Sequence, residues 1–303
     1  MRKALLLTMI AIAGCGGSTE VPPEYPPNPE IMNANAEATA EVAPATTDDA
    51  EVSPVVGAPP AQVVAGTNTA IDGTTPALRV TSPRNGARIA RGPVNVRVAL
   101  SNWSLAPDPG NHVHVIVDNE PYIAVRDVSH ELDLAALVHD NLGHDLAPGT
   151  HVVRIFPSRR THESVKTDGA FAMFTFVYGA PTQGFSFDAT APLLTFSRPK
   201  GCNVAGNRVL LDFYLTNVPT LSADGLRVHY TIDDNVSGDI TSWVPHYIEN
   251  LSTGQHTIRL QLMRNGEPVA GPFNDTSRTI TVDTTCPNPH AAAAPAAAEH
   301  AGH

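Results

Sequence analysis

The sequence predicts an all-β protein, with two tandem antiparallel β-sandwiches after a disordered linker. Three observations carry that expectation. First, apolar residues recur at a period of two: Val94, Val96, Val98 and Leu100 alternate with Asn95, Arg97, Ala99 and Ser101, as in strands that bury one face. Second, turn pairs punctuate such runs at Asn85-Gly86, Pro109-Gly110, Pro148-Gly149 and Asn265-Gly266. Third, the chain matches itself. Leu78 to Asp118 aligns without a gap on Leu193 to Asp233, so that Ser82, Gly86, Val94, Asn102, His114 and Asp118 meet Ser197, Gly201, Val209, Asn217, His229 and Asp233. A second block sets Leu146, Gly149, His151 and Arg154 on Leu251, Gly254, His256 and Arg259.

At the N-terminus, Met1-Arg2-Lys3 is a positive n-region and Ala4 to Ala13 an apolar run. That run falls short of the roughly 20 residues that span a bilayer. Ile12-Ala13-Gly14-Cys15 is a small-residue cleavage site that resembles the lipobox of bacterial lipoproteins. The resemblance implies that residues 1–15 are a lipoprotein signal, that the mature chain begins at a lipidated Cys15 held in the membrane by its acyl chains, and that Gly16 directs it to the outer membrane. The alternative is an ordinary secretory signal with an incidental cysteine.

Residues 16–77 hold no Lys or Arg, nine acidic residues from Glu20 to Asp72, and prolines from Pro22 to Pro76. A segment so polar and charged cannot bury enough apolar surface to offset its ordering entropy, and it reads as a disordered acidic tether. The units that follow, 78–180 and 190–286, carry matched inward rows: Val113, Val115 and Val117 against Val228, Tyr230 and Ile232, then Val153 and Ile155 against Ile258, Leu260 and Leu262. Two units of about 100 residues built of short alternating strands fit β-sandwiches. Their strand spacing and the shared Leu-x-x-Gly-x-His-x-x-Arg motif resemble the immunoglobulin-like modules of bacterial surface and periplasmic lipoproteins. One helix is expected, from Leu132 to His139, with Leu134, Leu137 and Val138 covering the end of the first sandwich. The Ala/His-rich residues 287–303 read as a frayed tail.

A net charge of −11 speaks against nucleic acid, which demands a Lys/Arg surface. Cys202 and Cys286 remain once Cys15 is lipidated. In an oxidising compartment they pair if their Cα atoms come within about 7 Å, and otherwise stay free thiols.

Several residues are candidates for chemistry. His112 and His114, two apart on a strand, point to one face and suit copper or zinc, with His144 or His162 as a further ligand. Because His114 and His151 recur as His229 and His256, however, those positions also read as serving the shared fold. The segment holding Arg159, Arg160, His162, Glu163 and Lys166 belongs to the first copy alone and is a candidate ligand-binding loop, since adjacent arginines fork onto carboxylate or phosphate. Asp233, Asn235 and Ser237, followed by Gly238, follow the first half of a calcium loop, but Val244 stands where the bidentate Glu belongs. Ser197-x-x-Lys200 matches a penicillin-binding motif in letters only, because Pro199 and Gly201 forbid the helix that motif needs. No nucleophile elbow, P-loop or dinucleotide fingerprint occurs. The chain therefore reads as a lipid-anchored, non-enzymatic protein of the bacterial outer membrane, needing no cofactor and serving as a binding, adhesion or spacer module for an envelope protein or polysaccharide. The alternative is a periplasmic copper- or zinc-binding protein using His112 and His114.

Overall fold

The computed structural model describes residues 59–167 and 169–287. The signal with Cys15, residues 16–58 of the expected tether and the tail from 288 lie outside the described residues. Among the described residues no helix is long and apolar enough to cross a membrane.

A short strand, β1 (Gln62–Ala65), precedes everything else. The first sandwich is built from β2 (Ala77–Ser82), β3 (Ala87–Ile89), β4 (Asn95–Ser101), β5 (His112–Val117), β6 (Ile123–Val125), β7 (Leu132–Asp133), helix α1 (Leu134–Leu142), β8 (Gly149–Ser158) and β9 (Ala172–Tyr178). The second uses β10 (Leu193–Arg198), β11 (Cys202–Val204), β12 (Val209–Thr216), β13 (Leu226–Ile232), β14 (Val236–Ile240), β15 (His246–Glu249), β16 (Gly254–Arg264), β17 (Glu267–Pro268) and β18 (Asp275–Asp283). The sheets run β2-β4-β7 and β3-β9-β8-β5-β6 in the first unit, and β1-β15-β12-β10 and β11-β18-β16-β13-β14 in the second, with β17 on β16. The chain is thus all-β, with the alternating rows inside: Val94, Val96, Val113, Val115, Val153 and Ile155 fill one core and Val209, Leu211, Val228, Ile258, Leu260 and Leu262 the other.

Four features depart from the sequence-based expectation. Each sandwich contains one parallel pair, β3 with β9 and β11 with β18. Gly86 and Gly201, both at positive φ, turn the chain after β2 and β10 so that the next short strand crosses to the opposite sheet. Residues 62–65, expected within the tether, instead pair antiparallel with β15 of the second sandwich, from Gln62↔Glu249 to Ala65↔His246. This stretch has β-branched Val63 and Val64 and no proline, and Val63 packs on the second core. The helix starts two residues later than expected, because the Asp133 carboxylate caps it by accepting from the backbone N–H of Ala135 at 3.1 Å, and it stops at Gly143, whose φ is 77°. Finally, the two sandwiches are packed together rather than strung out. Ile116, Tyr122, Phe156 and Tyr214 form one apolar cluster across the seam, and Val152, Leu193 and Phe273 another. Strand β5 is consequently buried on both faces, Val113, Val115 and Val117 inward and His112, His114 and Ile116 toward the neighbouring unit.

Cys202 and Cys286 form a disulfide with Cα atoms 5.4 Å apart, tying the start of the second sandwich to the segment beyond its last strand.

Candidate metal centre at the seam

His112 and His114 share a face of β5 because strand side chains alternate, and docking of the second sandwich leaves both rings fully buried. The third member comes from the hairpin that follows β8. There the His162 backbone N–H donates to the Arg159 carbonyl at 2.8 Å and the Arg159 N–H to the Glu163 carbonyl at 2.9 Å. His162 itself sits at φ 66°, an unusual conformation for a residue with a Cβ, and this aims its ring at the strand pair. Among the described residues, His112, His114 and His162 are the one group of three or more metal-ligating side chains whose donor atoms converge, all within 4.8 Å of one another.

His112 is the hub. Its Nδ1 lies 2.9 Å from the Gly110 carbonyl, an obligate acceptor, so Nδ1 carries the proton and Nε2 presents a lone pair. That Nε2 lies 3.0 Å from His114 Nε2 and 3.1 Å from His162 Nδ1. On the far side, Ser197 Oγ holds His114 Nδ1 at 3.0 Å and the Tyr122 hydroxyl stands 3.1 Å from His162 Nδ1. Burial pushes the Tyr122 phenol up to about 12, so it stays protonated. His112 Nε2 faces two ring nitrogens at hydrogen-bond distance, His114 Nε2 and His162 Nδ1. A single cation at this point can take all three nitrogens as ligands in place of those hydrogen bonds. Two of the three separations, 3.0 and 3.1 Å, lie near the roughly 3.3 Å that metal–nitrogen bonds of about 2.0–2.1 Å in tetrahedral array place between ligand atoms, and the third is within 4.8 Å.

The surroundings keep these rings neutral. Burial lowers His112 to about 4, seconded by the charges of Arg126 and Arg198. Burial lowers His162 to about 2, with Arg198 and His112 adding to it. His114 lies well below its ordinary value, through burial first and then its histidine neighbours and Arg198. Neutral imidazole is the ligating form, and Gly110 and Ser197 hold the far ring nitrogens of His112 and His114, which orients both rings toward a shared point.

The remaining candidates separate. His144 does not join the cluster: it lies beyond α1, with Nε2 3.8 Å from a Glu120 carboxylate oxygen. The first-copy loop is a clasp more than an open binding loop. Arg159 donates to the Thr69 and Ala70 carbonyls at 2.5 and 3.2 Å, Glu163 accepts from the Tyr247 hydroxyl at 2.8 Å, and Lys166 pairs with Asp212 with both side chains essentially buried. Arg160, His162 and the already engaged Glu163 line a cavity. The calcium reading of Asp233, Asn235 and Ser237 gives way to a hairpin between β13 and β14. Asp233 turns away from it, holding His256 Nδ1 at 2.6 Å and the Thr257 N–H at 2.7 Å. Asp118 does the same in the first copy, with His151 Nδ1 at 2.7 Å and the Val152 N–H at 2.8 Å. His151 and His256 thus serve the shared fold, while His114 and His229 do not share a role, since His229 pairs with Asp239 at the surface. Tyr122 and Arg198 escaped the sequence reading, and Ser197 entered it only through the Ser-x-x-Lys pattern and the internal alignment. Ser197 aligns with Ser82, and nothing local marks it as a neighbour of His114.

Fold and site together define a two-sandwich all-β protein with a seam between its modules that gathers three histidines. No protein-family model matches the sequence, and no curated protein does. Solved structures with similar arrangements include fibronectin(III)-like modules of CbhA from Clostridium thermocellum, at 12% identity and a TM-score of 0.25 over 68% of this chain and 95% of that one. Another is SGBP-B of the mixed-linkage glucan utilization locus of Bacteroides ovatus, in complex with a mixed-linkage heptasaccharide, at 15% identity and a TM-score of 0.22 over 70% and 71%. A third is the two tandem V-type regions of VCBP3, a v-region-containing chitin binding protein, at 9% identity and a TM-score of 0.21 over 69% and 100%.

Proposed function

We propose that this chain is a binding protein of the bacterial cell envelope that holds one copper or zinc ion between its two sandwiches, on His112 Nε2, His114 Nε2 and His162 Nδ1. The observation that carries the reading is the convergence of three neutral imidazoles, two of them fully buried, in which one acceptor nitrogen has two imidazole neighbours within 3.1 Å. Imidazole suits both metals. The lipobox-like Ile12-Ala13-Gly14-Cys15 supports attachment at the outer membrane, and the proline-rich stretch behind it supports standing off from the bilayer toward an envelope protein or polysaccharide.

The test is metal content by mass spectrometry of the full-length protein, purified in detergent without tags or chelators, beside His112→Ala/His114→Ala and His162→Ala variants. About one copper or zinc per chain in the parent, lost in both variants, is expected. His162 is half-buried on a loop, so its variant should melt like the metal-free parent. A parent that carries no metal and shows no thermal shift with either ion would overturn the reading.

A further inference from the structure

Beside the histidine cluster, between the first-copy hairpin and the start of the second sandwich, lies a cavity of about 480 Å³ whose wall includes His162. Three arginines line it: Arg160 from the hairpin, Arg198 at the end of β10 and Arg208 before β12. Among the described residues none of the three pairs with a carboxylate. Arg208 lies over the Tyr247 ring at 3.9 Å and Arg198 over Tyr122 at 5.2 Å, so both guanidinium groups are held in place by aromatic side chains, and Arg198 also hydrogen-bonds Tyr122. Two polar atoms at this wall, Arg198 Nε and Thr161 Oγ1, are buried with no hydrogen-bond partner. A buried donor without a partner costs about 1–3 kcal/mol, which a ligand acceptor relieves. The lone carboxylate in the lining, Glu163, is already engaged by Tyr247. Opposite the cations, Val204, Val209 and Leu210 make a partly apolar wall.

We infer that this cavity is a binding site for a small molecule carrying an oxyanion, carboxylate or phosphate, with its charge forked by Arg160, Arg198 and Arg208 and its body against Val204 and Leu210. The guanidinium group is the side chain whose planar fork fits either oxyanion bidentately. The second sandwich alone does not make the site, because Arg160, Thr161 and His162 come from the hairpin that the second copy lacks. The inference goes beyond metal binding and stands without it.

Isothermal titration calorimetry on metal-free, full-length protein in neutral detergent tests it, with inorganic phosphate, glucuronate and neutral glucose as probes at low salt. Saturable binding of phosphate or glucuronate, absent for glucose and weakened by added sodium chloride, is expected, and the tighter of the two anions identifies which oxyanion the site takes. Arg160→Gln/Arg208→Gln, whose parent side chains are exposed and whose loss leaves the fold intact, should weaken binding about tenfold or more, and Arg198→Gln should do the same. Absence of saturable binding by both anions, or affinity unchanged in the exposed double variant, would overturn the inference. Because no metal is present, either result is independent of the copper or zinc reading.

Discussion

At the scale of single residues, the duplicated Asp–His pair shows how a repeated sequence position acquires a reason. His151 has acceptors at both ring nitrogens, Asp118 at Nδ1 and the Ala147 carbonyl at Nε2, at 2.7 and 2.8 Å. His256 repeats this with Asp233 and the Ser252 carbonyl, at 2.6 and 2.9 Å. A neutral ring satisfies only one such acceptor, so the folded state favours the imidazolium. Burial alone would lower both histidines, but the aspartate and carbonyl bonds outweigh it and raise them. With the folded value above the unfolded one of about 6.5, the stabilisation is fully present below that pH and fades as pH rises through the raised value. Asp118→Asn should therefore cost about 1–2 kcal/mol at pH 5.5, discounted for the partial exposure of the carboxylate, and clearly less at pH 9. Urea denaturation at the two pH values checks this, and an equal loss at both would refute it. The recurrence of His151 and His256 was readable in the sequence because both sit in the repeated strand motif. The cluster was only half readable. The i, i+2 spacing put His112 and His114 on one face, but selecting His162 over His144 required knowing which loop folds back over β5.

At the scale of elements, the hairpin between β8 and β9 decides whether the site exists. Its sequence looks like an exposed cluster of charges, since periodicity is silent about loops, yet Glu163 and Lys166 are committed to the second sandwich. Lys166 reaches Asp212 on β12 while also donating to Ser164 Oγ at 2.8 Å, and Asp212 accepts from the Ser164 N–H at 3.1 Å. Lys166→Met leaves a buried carboxylate with no cation and should destabilise by about 3–5 kcal/mol. The double variant Lys166→Met/Asp212→Leu should recover a large part of that loss, because an apolar pair of similar volume replaces a desolvated ion pair. Chemical denaturation of the two variants separates these outcomes. A double variant no better than the single one would mean that the pair stabilises on its own account. The pair itself was beyond sequence reading: Asp212 aligns with Arg97 of the first copy, so the duplication hides rather than reveals it.

At the scale of the whole molecule, tandem repeats suggest two modules that fold and move separately, while the seam argues for one cooperative body. Phe156, fully buried, sits among Ile116, Tyr122 and Tyr214, with its ring 4.9 Å from that of Tyr214. Strand β1 also joins the second sandwich although the chain next enters the first, so the connection wraps both units. Period-two patterning cannot report such a seam, because a residue facing a neighbouring module and one facing its own core are equally apolar. The signal that was present is β5, apolar on the face expected to be outward at Ile116. Single-transition calorimetric unfolding is expected for the parent. Phe156→Ala should lower stability by about 3–5 kcal/mol and divide the transition in two as the sandwiches uncouple. The same logic bears on the metal. All three ligands belong to the first sandwich, but the second holds His114 through Ser197 and the hairpin of His162 through its contacts to Glu163 and Lys166. An ion therefore favours the docked form, and copper or zinc at a hundredfold excess over its dissociation constant should stabilise the parent by about 2.7 kcal/mol. In Phe156→Ala it should draw the two transitions back together. A divided transition that metal leaves unmoved would place the ion, if bound, away from the seam.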